Sequence, residues 1–470
     1  MRPSRKTVAI CIVLAGLVSA CGARVSDEQR AAAVGPGSAT GAPTGSGAGP
    51  TGGSGDDGVP GGDTSSGGAG PAAVEGGGGA TATTAPQGGN GGATDVGVTG
   101  DTITLGLVTT LSGPVPGLFQ GASIGAQAFT AYINSQGGVF GRKLKLVVRD
   151  DQFDSGQNRA QTQDLSKSSL GFLGSFSVYD DAGIGDIEKG GIPDVGYGLT
   201  DVRRNASVNF SPQPAKSGTF RTGPFLYYQK KFPDAVKSVG TIYGDVPASK
   251  AAALDAMAAA ESVGWQFSYS RGYQPTETDF TADVVRMRQS GVKSFWTTSA
   301  DAKTMARIVK AMDQQDFKPE FIAFGASGYD PAFLALAGGA SEGVYIDHQL
   351  ALYQGGDAGS VPEVALFNQW LQKVKPGYTP DLFAAFAWAS GRLLQQALQA
   401  AGPQLTRKSL LAALQKIDQF DSNGLLAASG PASKRQPTCD MFMRVEGAKF
   451  VRVDPAGKGY ICGGSIFTKR

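Results

Sequence analysis

Apolar and polar residues alternate through DTITLGLVTT, residues 101–110, with Ile103, Leu105 and Leu107 on one side and Thr102, Thr104 and Gly106 on the other. A period of two predicts a strand with one face buried. The spacing then lengthens. Ala122, Ala126, Phe129 and Ile133 recur every three or four residues, the period of a helix that lays one side on a core. Gly137 and Gly138 stop that helix. In NSQGGVFGRKLKLVVRDD, residues 134–151, Leu144, Leu146 and Val148 mark the next strand. SLGFLGSFS supplies a third after a helix around Asn158–Ser166, and GGIPDVGYG a fourth.

The rhythm restarts after Pro224. VGTIYG is a strand, Ala248–Val263 an alanine-rich helix and WQFSYS a strand. A helix capped by Thr278 or Asp279 runs to Gln289, SFWTT is a strand, Ala302–Gln314 a helix and EFIAFG a strand. Such alternation predicts parallel sheets covered by helices, an α/β fold in two units. Two long helices at Val361–Val374 and Pro380–Ala401 follow. MFMRV and KFVRV then read as a hairpin about Glu446-Gly447.

The first 95 residues do not share this pattern. Arg2, Arg5 and Lys6 precede a largely apolar run, Thr7–Val18, too short to span a membrane comfortably. It ends in LVSAC, which resembles a bacterial lipobox. Cleavage before Cys21 and acylation of that cysteine would anchor an exported protein to the outer face of the membrane. Residues 22–95 are the expected tether. More than a third of residues 35–95 are glycine, and they lack the apolar surface to offset chain entropy. A flexible coil of roughly 70 residues has an end-to-end distance of about 45 Å.

Composition narrows the chemistry. With 42 Lys and Arg against 40 Asp and Glu there is no electrostatic reason to expect nucleic acid as a partner. The single histidine, His348, excludes a His-rich metal site and any chemistry that needs two imidazoles. No metal and no cofactor are expected. One imidazole still allows a Ser-His-Asp triad, and GASIG at 121–125 matches the nucleophile-elbow pattern with Ser123. That elbow needs its serine directly after a strand, whereas Ser123 falls in a helix, and His348 sits in YIDHQL, which reads as a strand crossing between units. A hydrolase is therefore the remote reading. Asp150 and Asp151 end a strand beside Gln152, Asp154 and Ser155, and read as a hydrated loop and not as a catalytic pair. With Cys11 removed and Cys21 acylated, Cys439 and Cys462 are left in an oxidising compartment and are expected to form a disulfide.

LSGP, YINSQGGVFGRKLKLVVRDDQFD, GSFS, GIP, YQPTETDFTADVVRMRQSGV and ASEGVYI occur in that order. Together they resemble the type I solute-binding proteins of ABC importers, of the leucine/isoleucine/valine-binding kind. The resemblance covers nearly all of residues 100–425. It implies two Rossmann-like lobes joined by a multi-strand hinge, with residues 96–220 and 347–425 in lobe 1 and 221–346 and 426–470 in lobe 2. It implies no enzyme but a monomeric binding protein that hands a small molecule to an ABC permease and ATPase. A sensor or scaffold of the same fold without transport is the alternative.

The resemblance also implies a site. Ser177, with Ser175 or Tyr179 as a substitute, and the Gly198–Thr200 element would hold a ligand carboxylate, and Phe119 would lie over the ligand. In the second lobe the family's acidic turn is replaced by GASG, with Ser327 at that position, and Tyr243 comes early in its loop. Either Asp245, Asp301 or Asp330 replaces the missing acid, with Ser299 beside them, or the ligand is not an α-amino acid. The implied ligand is a small polar metabolite, an amino acid or a related carboxylate or amide.

Overall fold

The computed structural model describes residues 89–216 and 218–469. The signal, the lipobox Cys21 and most of the expected tether lie outside the described residues. Composition places the end of the tether at residue 95, yet residues 90–95 are bound to the body. Asn90 Nδ2 donates to Gly100 O (2.7 Å), Arg142 donates to the carbonyls of Asn90 and Gly92, and Asp95 accepts from Arg407 N (2.7 Å). Arg142 is wholly buried and also donates to Thr99 O and Pro403 O, so one guanidinium holds four carbonyls from three segments. Composition cannot show such a clamp, because it depends on a side chain some 50 residues downstream.

The first sheet is entirely parallel, in the order β2–β1–β3–β4–β5. Its elements run β1 (Thr102–Thr109), α1 (Gln120–Ser135), β2 (Lys143–Asp150), α2 (Ser155–Ser166), β3 (Gly171–Leu173), α3 (Ile184–Lys189), β4 (Asp194–Val195), α4 (Asp201–Asn205) and β5 (Asn209–Phe210). The glycine turn before β2 has a steric cause. Gly138 has φ +82°, and a Cβ there would lie 1.9 Å from Arg142 O. Only glycine fits.

The chain then makes β6 (Thr219–Arg221), α5 (Gly223–Lys231), β7 (Val239–Gly244), α6 (Pro247–Ser262), β8 (Phe267–Tyr273), α7 (Thr281–Gln289), β9 (Ser294–Thr297), α8 (Ala302–Gln314), β10 (Phe321–Phe324), α9 (Pro331–Ala337) and β11 (Tyr345–His348). The α7 cap differs from expectation. Phe280 holds the N-cap position without a side-chain cap, and Asp279 instead accepts from Thr281 N (2.9 Å). His348 ends β11 inside the second sheet, so of YIDHQL only Gln349 and Leu350 belong to the crossing to the first lobe.

Helices α10 (Pro362–Val374), α11 (Leu382–Ala401) and α12 (Arg407–Leu414) return to the first lobe. There α11 lies against α1 at a distance that excludes side chains. A Cβ on Gly125 would lie 2.2 Å from Ala384 O, and one on Gly391 2.2 Å from the Phe129 ring. Trp388 fills the space beside this contact, edge-on to Phe129 at 5.7 Å. Finally β12 (Cys439–Glu446), β13 (Lys449–Asp454) and β14 (Ile461–Cys462) complete the second sheet, ordered β13–β12–β11–β10–β9–β7–β8 with β14 on β12. β15 (Ile466–Thr468) pairs with β6. The hairpin turn is Gly447-Ala448, both with positive φ (57° and 60°), as a tight two-residue turn requires. Cys439 and Cys462 pair across β12 and β14 and are joined by a disulfide.

Candidate ligand-binding cleft

Three crossings connect the lobes, and they are bonded to one another. Gln213 Nε2 donates to Gln349 O (3.2 Å), Ala427 N to Gln349 O (2.9 Å) and Ala351 N to Leu425 O (2.8 Å). Gln349 Nε2 reaches Pro437 O (2.9 Å) and Ser429 Oγ reaches Pro212 O (2.8 Å). Between the lobes lies a cleft of about 460 Å³. It is lined by the segments that follow β1, β3 and β4 on one side and β7 to β11 on the other. These are the carboxyl ends of the strands, where open parallel sheets present their loops.

One wall is aromatic. Phe119 meets Phe383 edge-on (4.7 Å between centroids), Phe176 stacks on Tyr197 (5.7 Å), and Tyr197 stacks on Phe386 (4.8 Å). All five line the cleft. The other wall carries Ser299, Asp301, Ser327 and Asp330, with Asp381 entering from the first lobe at the start of α11. Asp301 caps α8, accepting from Lys303 N and Thr304 N (3.0 Å each), and also takes the hydroxyls of Thr304 (2.6 Å) and Tyr273 (3.1 Å). Ser327 Oγ donates to Ala300 O (2.9 Å). Asp330 accepts from Ala332 N (2.7 Å), and burial pushes its carboxyl up, with the charge of Asp301 adding to the effect. Burial pushes Asp381 up to about 7, and Asp330 contributes to that shift. Two carboxyls that repel each other across a cleft favour a cation or a shared proton between them.

Of the residues singled out in the sequence, Phe119, Ser299, Asp301, Ser327 and Asp330 meet in this cleft. The others stand elsewhere. Ser177 is buried behind the wall and its Oγ accepts from Tyr179 N (3.0 Å), while Tyr179 packs edge-on against Phe153. Thr200 caps α4 and donates to Asp180 Oδ1 (2.5 Å). Gly198 O accepts from Arg204 Nε (2.9 Å). Tyr243 is buried in β7, and Asp245 is paired with Lys250 (3.1 Å) at a partly exposed edge. Of the hydroxyls expected to hold a carboxylate, that of Thr200 is thus already committed to Asp180, while Ser177 Oγ only accepts. A buried network holds Asp180: Arg203 grips both oxygens of Asp194 (2.8 and 2.9 Å), reaches Asp180 (3.4 Å) and donates to Ser175 O (3.0 Å).

Asp150 and Asp151 are not a hydrated loop. Asp151 is wholly buried, accepting from Thr110 Oγ1 (2.7 Å), Asn158 Nδ2 (3.0 Å) and Phe153 N (3.1 Å). Asp150 accepts from Leu111 N (2.9 Å), Ser112 and Gln152 N (2.9 Å). Both carboxylates clasp the loop after β1, a structural task that also removes them from catalysis.

Sequence reading missed Asp381, Phe383 and Phe386. The signal for the first was present, since an aspartate before a long apolar run is a helix cap, and Asp381 accepts from Ala384 N (2.8 Å). The two phenylalanines have the spacing of core residues, and nothing local separates a cleft wall from a core.

Ser123 Oγ donates to Gln120 O (2.9 Å) within α1, and no hydroxyl among the described residues donates to His348. No cluster of His, Cys, Asp or Glu among the described residues is placed to hold a metal ion. Two hinged α/β lobes closing on a cleft at the carboxyl ends of their strands have the architecture of a solute-binding protein.

The chain belongs to the periplasmic binding protein family, whose profile matches residues 102–454. Leu/Ile/Val-binding protein homolog 1 of Brucella suis biovar 1 is 24% identical over 325 residues, 63% of this chain and 79% of that protein. Among solved structures, the fatty acid ABC transporter substrate-binding protein from Thermomonospora curvata is 21% identical. It has a TM-score of 0.66 and covers 80% of this chain and 96% of its own. A branched chain amino acid ABC transporter from Thermus thermophilus with bound valine is 17% identical, with a TM-score of 0.67, covering 77% and 97%. Among the described residues no helix is long and apolar enough to cross a membrane.

Proposed function

We propose that this protein captures a small solute with an aliphatic body outside the cell and delivers it to the permease and ATPase of an ABC importer. The observation that carries the reading is the aromatic wall of Phe119, Phe176, Tyr197, Phe383 and Phe386 facing a carboxyl-bearing wall across the cleft. Apolar surface on one side accepts a hydrocarbon chain. Asp330 on the other, with Asp381 entering from the first lobe, suits an ammonium group, and the two take the part considered for Asp245, Asp301 or Asp330. A branched-chain amino acid satisfies both walls. The relatives that bind leucine, isoleucine, valine or fatty acids by name support an aliphatic body. With the Thr200 hydroxyl committed to Asp180 and Ser177 buried outside the cleft lining, a small, wholly polar metabolite is disfavoured.

The test is a thermal-shift panel of leucine, isoleucine and valine, their counterparts without the amino group, and serine and glutamate as polar controls. Aliphatic members raise Tm by mass action. A response to the polar controls alone overturns the reading. Anchoring through Cys21 belongs to the same proposal. Cys21→Ser should release the body into the medium or leave an unprocessed precursor, and unchanged membrane retention with normal processing would refute the anchor.

A further inference from the structure

The only histidine of the chain lies on the floor of the cleft, beside the hinge. Its neighbours along the chain are fully engaged. Asp347 accepts from Arg221 (2.9 Å) and Trp296 Nε1 (3.2 Å), and Gln349 donates to Pro437 O and Cys439 O. His348 is different. Its side chain is wholly buried and lines the cleft, and neither ring nitrogen has a hydrogen-bond partner among the described residues. The ring packs against Tyr329 (5.3 Å between centroids) and Tyr353 (6.2 Å). Neither tyrosine serves it: Tyr353 Oη donates to Tyr329 O (2.8 Å), and Tyr329 Oη accepts from Gln354 N (3.3 Å). Native folds rarely leave a buried donor and acceptor unpaired, and a pair left so at a cleft is open to a bound molecule.

We infer that His348 is a ligand contact, hydrogen-bonding an oxygen-bearing head group of the solute at the cleft floor while the aliphatic body lies on the aromatic wall. The inference rests on the aliphatic-solute reading above and adds to it the residue that orients the head. Burial, with the nearby charges of Arg452 and Arg221, pushes the imidazole pKa down to about 3. The ring is therefore neutral in any physiological medium, with one N–H to give and one lone pair to receive. It suits a carboxyl, amide or hydroxyl and needs no proton uptake to bind it.

A single histidine makes the test direct. Diethyl pyrocarbonate acylates neutral imidazole, and the absorbance of the product reports one site per chain. The native protein should take one group at His348, slowly, as opening of the hinged lobes uncovers the cleft floor. Isoleucine or 4-methylpentanoate, at concentrations that raise Tm, should slow that reaction. His348→Phe should weaken the same solute by about tenfold, the scale of one lost hydrogen bond in a buried site, and His348→Gln should recover part of the loss. Reaction only after unfolding overturns the inference. So does a rate unaffected by a solute that raises Tm, or a His348→Phe protein that binds with undiminished affinity. If neither solute raises Tm, the aliphatic-solute reading fails by itself. The reactivity of the native imidazole then still decides the inference: a sealed ring refutes the cleft-floor position and a reactive one upholds it.

Discussion

Replacing Asp381 by asparagine separates two consequences of a carboxyl placed in the cleft. Asp381 starts α11, accepts from Ala384 N and lies over Gly121, where a Cβ would come within 1.9 Å of its carboxylate. Burial, with the charge of Asp330, raises it from 3.8 to about 7 in the folded protein. Because the folded pKa is raised, the associated stability is fully present below pH 4. It is lost between pH 4 and 7 as the unfolded chain releases a proton that the folded chain keeps. A shift of about three units corresponds to about 4 kcal/mol, and partial contact of the carboxyl with water reduces this to about 2–4 kcal/mol. Asparagine keeps the cap and carries no charge. In urea unfolding, Asp381→Asn should match the parent near pH 3 and exceed it by that amount at pH 8. A constant offset across the range would refute the assignment of the raised carboxyl. In the binding panel the same variant should weaken amino acids but not their counterparts without the amino group. Equal loss for both would remove Asp381 from ammonium recognition.

Arg203→Met should cost about 3–5 kcal/mol, because it leaves Asp194 and Asp180 buried without their cation, and a loss under about 1 kcal/mol in urea unfolding would show the network to be incidental. Reducing Cys439–Cys462, whose partners are 23 residues apart, should cost about 3 kcal/mol of chain entropy yet leave ligand affinity unchanged, since neither cysteine lines the cleft. Recovery of both cysteines as separate alkylatable peptides from the native protein would refute the bridge.

The helix boundaries show what periodicity carries. Ala302–Gln314 is found with the bounds that its apolar spacing predicts, and α11 begins within two residues of expectation. Period, glycine stops and the alternation of strand with helix act through local backbone preference and one-sided burial, so one chain written in order is enough to read them. That was sufficient for two parallel-sheet lobes and, with the ordered motifs, for the family.

The site was legible only in part. Ser177 and Thr200 lie in the expected loops, but the Thr200 hydroxyl turns to Asp180, which Arg203 holds, and Ser177 is buried away from the cleft. Asp151 looks solvated beside Gln152 and Asp154, and is buried because Thr110 and Asn158 close over it. His348 and Asp381 acquire shifted pKa values only when the folded lobes exclude water around them. Burial and charge proximity are sums over the whole fold. The sequence by itself therefore determined the lobes and the loops that border the cleft. Only tertiary packing decided which side chains those loops turn toward a ligand and which they keep for themselves.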